Sequence, residues 1–281
     1  HSLYQPYATS LRMGDLGYQS HAQSSLTVCY NDLPQYTQTL RKALKMPYPD
    51  YEKIGLKDSQ GNHKQLNAHL LQIENEFYSS IRPKRTASSG ETPLQALAER
   101  GVEYVEVRCV DLNPLLPCGI DVQTMYFLDT FLLFCLLKDS PKTDSVEYAL
   151  IPQNIDRTVY QGRDPELKLL VGDSEISLRE WGHSLFDEMR PVAELLNSAN
   201  QTKAYSQVFN VMELKLTDDS TTPAAMLLEE MRANNETYYA MAMRKAAEHR
   251  DYFQANPPSV ETTAKYKNLA EVSLQRQAEI E

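Results

Sequence analysis

Basic charge is in short supply in this chain. Against 38 Asp and Glu stand 28 Lys and Arg, a formal net charge of −10 over 281 residues. Nucleic acid needs a basic surface to neutralise its phosphates, so this balance argues against it as the main partner. The excess acid reads as a solvated surface that keeps the protein soluble. A local site can still be basic. Cysteine is sparse as well: Cys29, Cys109, Cys118 and Cys135, with no CxxC spacing and no histidine cluster beside them. A zinc site is therefore not expected. Cysteines scattered through apolar segments are expected to be reduced and buried, which points to a cytoplasmic setting. Long apolar runs are missing too. The longest, near Phe127 to Leu137, holds Asp129 and Thr130 and is too short to span a membrane. No signal peptide is visible, and no internal repeat or low-complexity tract. The chain opens on His1-Ser-Leu-Tyr-Gln-Pro6 without an initiator methionine. The expectation is a fragment, a processed chain or a chain whose beginning is missing.

What is present supports a folded protein of one large domain or two ordinary ones, since 42% of the residues are hydrophobic. Residues 1–31 read as loop and strand. Leu33, Tyr36, Leu40 and Leu44 share one helical face ending near Met46-Pro47. Asp58 to Asn62 is a turn. His69 to Tyr78 alternates like a strand, with Leu71, Ile73 and Phe77 on one side. Ile81 to Arg85 reads as a basic loop and Thr86 to Gly90 as a flexible one. Thr92-Pro93 with Gln95 starts a helix that stops at Gly101. Asp121 caps a strongly apolar helix to about Lys138. After residue 140 helices dominate, at Leu178–Leu196, Pro223–Arg232, Thr237–Phe253 and Ser259 to the end. The last is charged along its length and reads as a solvated surface helix or frayed tail.

Three motifs carry chemistry. In Pro6-Tyr-Ala-Thr-Ser-Leu-Arg-Met-Gly-Asp-Leu-Gly-Tyr18, Arg12 offers a planar fork for a carboxylate and Tyr18 a pocket wall. The same residues suit a turn with a structural Arg12–Asp15 pair. In Gln72-Ile-Glu-Asn-Glu-Phe-Tyr-Ser-Ser-Ile-Arg-Pro-Lys-Arg85, a polar strand runs into cations that suit phosphate oxygens. It is not a P-loop, and an exposed basic loop is the alternative. In Gly101-Val-Glu-Tyr-Val-Glu-Val-Arg-Cys-Val-Asp-Leu-Asn-Pro114, valines predict a buried strand that carries charge. Period two puts Tyr104, Glu106 and Arg108 on one face. Glu106 suits a Mg²⁺ ligand and Arg108 a transferred phosphoryl. A buried salt bridge fits the same pair, although one without function rarely adds stability.

In this order and at these intervals the motifs closely resemble the C-terminal half of bacterial glutamate–cysteine ligases of the proteobacterial type. The resemblance runs from about Leu3 through Arg163 and thins in the helical tail. It implies an α+β fold: residues 1–140 form part of a glutamine-synthetase-like antiparallel sheet domain, and residues 141–281 a mainly helical region packed on it. It implies ATP and Mg²⁺ as cofactors, and glutamate and cysteine as substrates. ATP phosphorylates the γ-carboxylate of glutamate, and the amine of cysteine displaces phosphate, in the first step of glutathione synthesis. By motif position, Glu106 resembles a metal ligand, Arg108 the cation on the phosphoryl group, and Arg12 the residue on the substrate carboxylate or phosphorylated intermediate. Tyr18 and Tyr78 resemble walls of the cysteine pocket. Asn75 lies among the nucleotide contacts, with Arg82 and Lys84 beside it. Chemistry agrees, because phosphoryl transfer relies on metals and cations more than on a covalent nucleophile, and no Ser-His-Asp or Cys-His constellation is apparent.

There are departures: Ser80 stands where related sequences carry proline, and Met13 and Gly14 replace other residues beside Arg12. The family's remaining metal ligands lie in an N-terminal half absent here, so this chain alone is expected to be inactive, with sheet edges and apolar surface left for that half to cover. Two other readings stay open: a γ-glutamyl ligase with a different acceptor amine, and a non-catalytic domain that binds a nucleotide or a partner chain.

Overall fold

In a computed structural model, which describes residues 4–280, helices begin where the sequence supplies a cap. Asp32 accepts from the Gln35 amide to start α1 (Leu33–Ala43), and α2 (Pro49–Ile54) follows on a proline start. Thr92 caps α3 (Pro93–Arg100), which stops at Gly101 with φ +75°, a conformation glycine adopts without strain. Asp121 caps α4 (Val122–Leu137) and Asp144 caps α5 (Ser145–Gln161). Ser177 and Glu180 form a capping box on α6 (Leu178–Asn200). The helix α7 (Ala204–Thr217) has no side-chain cap, whereas Thr222 and Thr237 cap α8 (Pro223–Ala233) and α9 (Tyr238–Ala255). The last helix, α10 (Val260–Ile280), buries none of its residues, as its charge pattern predicts. His1–Leu3, where the resemblance opens, and Glu281, at the expected end of the last helix, lie outside the described residues.

Strands are few and paired in twos. Ile81–Lys84 (β1) pairs antiparallel with Tyr104–Val107 (β2), and Lys168–Val171 (β3) with Ser174–Ser177 (β4). The result is mixed α+β, with helices in the majority, as the sequence implies. Several expectations need correction. The segment Ile81–Lys84 is a strand rather than a loop; Pro83 is tolerated because β1 has a partner on one edge only. His69 to Tyr78 is not a strand. Its amides bond to nearby side chains instead: His69 to Asn67 Oδ1 at 2.9 Å and Gln72 to Glu76 Oε2 at 2.6 Å. Such local bonds compete with a ladder, and Glu74–Glu76 curls into a 3-10 turn. No strand occurs among the described residues before Asn31, where a 3-10 turn spans His21–Ser25. The strand β2 is short and not buried. Val102, Val105 and Val110 are exposed, because among the described residues β1 is its only partner and no layer covers that side. Cys109, Cys118 and Cys135 are exposed and Cys29 half-buried, all as free thiols. Cys135 lies on α4, whose outer face is uncovered around Phe131, Leu136 and Leu137.

Two cores hold the chain. The first gathers Val28, Tyr36, Leu40, Leu71, Phe77, Leu94 and Leu97 between α1, α3 and the segment ahead of β1. The second lies among α4, α6 and α7, around Phe134, Phe186, Met189, Val208 and Phe209. Phe209 is fully buried and meets Phe186 edge-to-face at 5.4 Å and Phe127 at 6.1 Å. The N-terminal segment lies along α5: the Thr9 amide donates to Val159 O at 2.8 Å and Arg163 N to Tyr7 O at 3.0 Å. No helix among the described residues is long and apolar enough to cross a membrane.

Two predictions follow from these contacts. Phe209→Ala empties the second core and lowers stability by about 3–5 kcal/mol, whereas Leu274→Ala on exposed α10 changes it by less than about 0.5 kcal/mol. Urea denaturation of the two variants measures the contrast, and equal effects would refute this core assignment. Separately, Arg100 clasps Glu91 in two bonds of 2.6 and 2.7 Å and also bonds Thr86 O. That clasp lowers the Glu91 carboxyl from its ordinary 4.5 to about 2. The folded value is the lower one, so the clasp's contribution is complete above 4.5 and is lost as pH falls toward 2. An NMR titration of Glu91 with its midpoint near 4.5 would rule this out.

Candidate active site

The β1–β2 register brings two distant motifs face to face. Arg82 lies opposite Glu106 and Lys84 opposite Tyr104. Directly paired residues share a face of the sheet, so Arg82, Lys84 and Glu106 project together, and Arg108 continues that face two residues on. Arg108 Nη1 donates to Glu106 Oε1 at 3.0 Å, and Lys84 Nζ stands 3.7 Å from Glu106 Oε2. Arg82 is 6% exposed. Its Nη2 donates to Asn75 O at 3.0 Å and reaches the Tyr18 hydroxyl at 3.3 Å.

The loop from Ser10 to Tyr18 closes over this face. Its tightness depends on Gly17, where any Cβ would collide with the carbonyl oxygens of Leu11 and Arg12. Tyr18 N donates to Arg12 O at 2.5 Å. Asp111 accepts at Oδ1 from the amides of Leu11 and Arg12, at 3.0 and 2.9 Å, and at Oδ2 from the Ser10 hydroxyl. The Arg12 side chain donates through Nε to Arg108 O, so it does not form the alternative pair with Asp15. Both guanidiniums lie over the Tyr18 ring, Arg12 at 4.7 Å and Arg108 at 4.6 Å from its centroid. The Tyr78 ring is 4.4 Å from the same centroid. Buried Gln23 orders Tyr78, accepting from its amide at 2.9 Å while donating to Glu76 O at 2.9 Å.

The electrostatics invert those of the whole chain. Arg108 and Lys84 flank the Glu106 carboxylate, and Arg12 and Arg82 join them through Tyr18, at its ring and its hydroxyl. Two guanidiniums on one ring repel each other, and each cation–π contact returns only about 0.5–1 kcal/mol. An anion between them would relieve that repulsion. Among the described residues, three buried polar side-chain atoms also lack a hydrogen-bond partner: Arg82 Nε, Arg108 Nε and Glu106 Oε2. Leaving such atoms bare is costly, and in a native fold it commonly marks a place where a ligand or ion binds. Glu106 Oε2 therefore fits a cation as one ligand. Among the described residues, no group of three His, Cys, Asp or Glu is placed to complete such a site. Behind β1, a cavity of about 30 Å³ is lined by Tyr36, Asn75, Phe77, Arg82 and Lys84. It has room for a water and not for a nucleobase. A cleft of about 720 Å³ between Pro6, Arg163 and α8 shares no lining residue with the cationic face.

All the residues singled out from the sequence thus meet on one face, with one qualification. Asn75 joins through its backbone carbonyl, and the residue itself is exposed. The motif reading missed Gln23, Ser10 and the bonds of Asp111 to the Arg12 loop. The charge at Asp111 was visible, but nothing in the sequence names a partner about a hundred residues away.

Comparison with known proteins decides the family. The glutamate–cysteine ligase family model matches residues 1–158. This chain belongs to the glutamate–cysteine ligase family. It is 47% identical over 281 residues to the glutamate–cysteine ligase of Pseudomonas paraeruginosa and 45% identical over 280 residues to that of Pseudomonas savastanoi. Each match takes in 100% of this chain and 53% or 52% of the relative, so the chain spans about half the length of these ligases. The crystal structure of the Francisella tularensis glutamate–cysteine ligase in complex with AMP superposes with a TM-score of 0.89 at 39% identity, over 98% of this chain and 54% of that one. A bifunctional glutathione synthetase from Pasteurella multocida shares the fold, with a TM-score of 0.63 at 19% identity.

In this family member Arg82 ties β1 to Tyr18 and Asn75. Arg82→Met keeps the stem and removes the donors, which lowers stability by about 1–3 kcal/mol. An unchanged urea midpoint would show that these bonds carry no weight.

Proposed function

We propose that the complete protein joins the γ-carboxylate of glutamate to the amine of cysteine at the expense of ATP, and that this chain supplies one wall of its site. The supporting observation is the pair of guanidiniums, Arg12 and Arg108, stacked on Tyr18 beside Glu106, whose second oxygen is unbonded. The AMP bound by the Francisella relative favours a nucleotide cosubstrate. In this reading residues 1–140 carry the catalytic face, residues 141–281 pack against it, and the reaction runs in the cytoplasm.

Each side chain then has a task. Arg12 holds the carboxylate of glutamate or its phosphorylated form, and Arg108 neutralises the phosphoryl group as it moves. Lys84 and Arg82 extend the cationic wall beside Asn75, toward the nucleotide. Tyr18 and Tyr78 bound the pocket for cysteine. Glu106 holds one Mg²⁺, which when bound neutralises phosphate charge. In the first step a γ-carboxylate oxygen bonds to the terminal phosphorus of ATP and ADP leaves. In the second, the cysteine amine bonds to the γ-carbonyl carbon, a proton leaves the nitrogen, and phosphate departs with the C–O electron pair. Fixed cations act in both steps, because negative charge builds on the same phosphoryl oxygens.

One carboxylate does not complete a metal site, so the other ligands are assigned to the half of the protein outside this chain. The exposed valines of β2 and the bare outer face of α4 support a further layer there. The chain by itself then makes no γ-glutamylcysteine. In the complete protein, Arg108→Ala lowers kcat by about 10²–10³ while KM changes far less, because its charge matters chiefly in the transition state. Steady-state kinetics with ATP, glutamate and cysteine test this, and an unchanged kcat would sink the assignment of Arg108.

A further inference from the structure

We propose that Asp111 is the positioning residue for Arg12, and that its carboxylate determines whether the two guanidiniums meet on Tyr18. The inference rests on the proposed role of Arg12. The loop Ser10–Arg12 has no regular secondary structure to hold it. Its conformation must come from specific bonds, and three of them converge on Asp111. Oδ1 takes the amides of Leu11 and Arg12, and Oδ2 takes the Ser10 hydroxyl, whose oxygen accepts in turn from Met13 N at 3.0 Å.

Hydrogen bonds to an ionised acceptor are the stronger kind. Asp111 lies three positions beyond Arg108 in the segment leaving β2, so its carboxylate sets the distance between the loop and the strand that carries Glu106 and Arg108. The Arg12 side chain then spans a gap already fixed at its backbone, bonding Arg108 O and covering Tyr18. Without Asp111, two backbone amides and a hydroxyl lose their acceptor, and only the Arg12 Nε–Arg108 O bond, the Tyr18 N–Arg12 O bond and the Tyr18 ring are left to oppose repulsion between Arg12 and Arg108. Proximity effects are steep: displacement of a binding group by about 1 Å is worth as much as 10²-fold in rate.

The test is a double-mutant cycle in the complete protein. Asp111→Ala lowers kcat/KM for glutamate by about 100-fold. Asp111→Asn keeps an oxygen for the two amides and recovers at least about tenfold of that loss. In an Arg12→Ala background, Asp111→Ala costs less than about threefold further, because residues acting through one group are not additive. Wild-type kinetics for Asp111→Ala overturn the proposal, as does an equal loss in both backgrounds, which would mark Asp111 as support for the fold alone. Should Asp111→Ala not fold, Ser10→Ala carries the test: KM for glutamate rises and KM for ATP does not, and an unchanged KM for glutamate overturns the proposal. If Arg12→Ala is itself silent, the substrate role of Arg12 falls, and this inference falls with it.

Discussion

The antiparallel register of Ile81–Lys84 against Tyr104–Val107 is the constraint on which the site depends. Four residue pairs convert two separate stretches of sequence into one charged face. A slip of one residue would turn Arg82, Lys84 and Glu106 to opposite sides. The register is reinforced from outside the ladder: Glu103 N donates to Lys84 O at 2.9 Å and Arg108 N to Ser80 O at 2.8 Å, extending the pairing at both ends. Glycine at 101 and the clasp of Glu91 by Arg100 fix the approach to β2. A two-stranded sheet is marginal by itself. This one is backed by the first hydrophobic core, through Leu94 and Leu97 of α3.

On that face, chemistry is set by imbalance. The chain as a whole is acidic, yet its most organised polar cluster is cationic. Tyr18 makes the imbalance tolerable by offering its ring to two guanidiniums at once. Its hydroxyl meets a third cation, Arg82, on the same face of the sheet. One aromatic ring therefore links the loop, the strand exit and β1. The surplus charge is fixed by contacts within the chain, which is what electrostatic preorganisation requires.

How much of this could be read from the sequence depended on the range of the interaction. Helices with a side-chain cap were mostly legible: Asp32, Thr92, Asp121, Ser177, Thr222 and Thr237 all cap helices that the sequence predicts, α6 among them despite Pro191 in its interior. The helix α5, capped by Asp144, was missed where Pro152 falls midway along its 17 residues, whereas Pro191 lies in the longer, 23-residue α6; α7 lacks a side-chain cap at Lys203. The strand β1 was hidden by Pro83, which argues against a strand until its single-edge pairing is known. The false strand at His69–Tyr78 had the right alternation, but its polar residues bond their own neighbours. The candidate site residues stood out because they lie in dense motifs. Their supports, Gln23 and Ser10, did not, since each has its effect through a bond to a residue remote in sequence.

The surplus of cations also bears on how the work of the site divides. Four cations gathered about Tyr18 and Glu106 suit the oxygens of a phosphoryl group and of an amino-acid carboxylate. They do not suit a resident divalent ion, which needs several oxygen ligands. Glu106 already shares its charge with Arg108 and Lys84. A cation at Oε2 would have to be held from its other side by further ligands, and among the described residues no group of three His, Cys, Asp or Glu is placed to supply them. In the proposed function, anion recognition and metal recognition are thus separable. The first is built into the register of β1 and β2, while the second requires a facing surface, and the uncovered side of β2 leaves room for one.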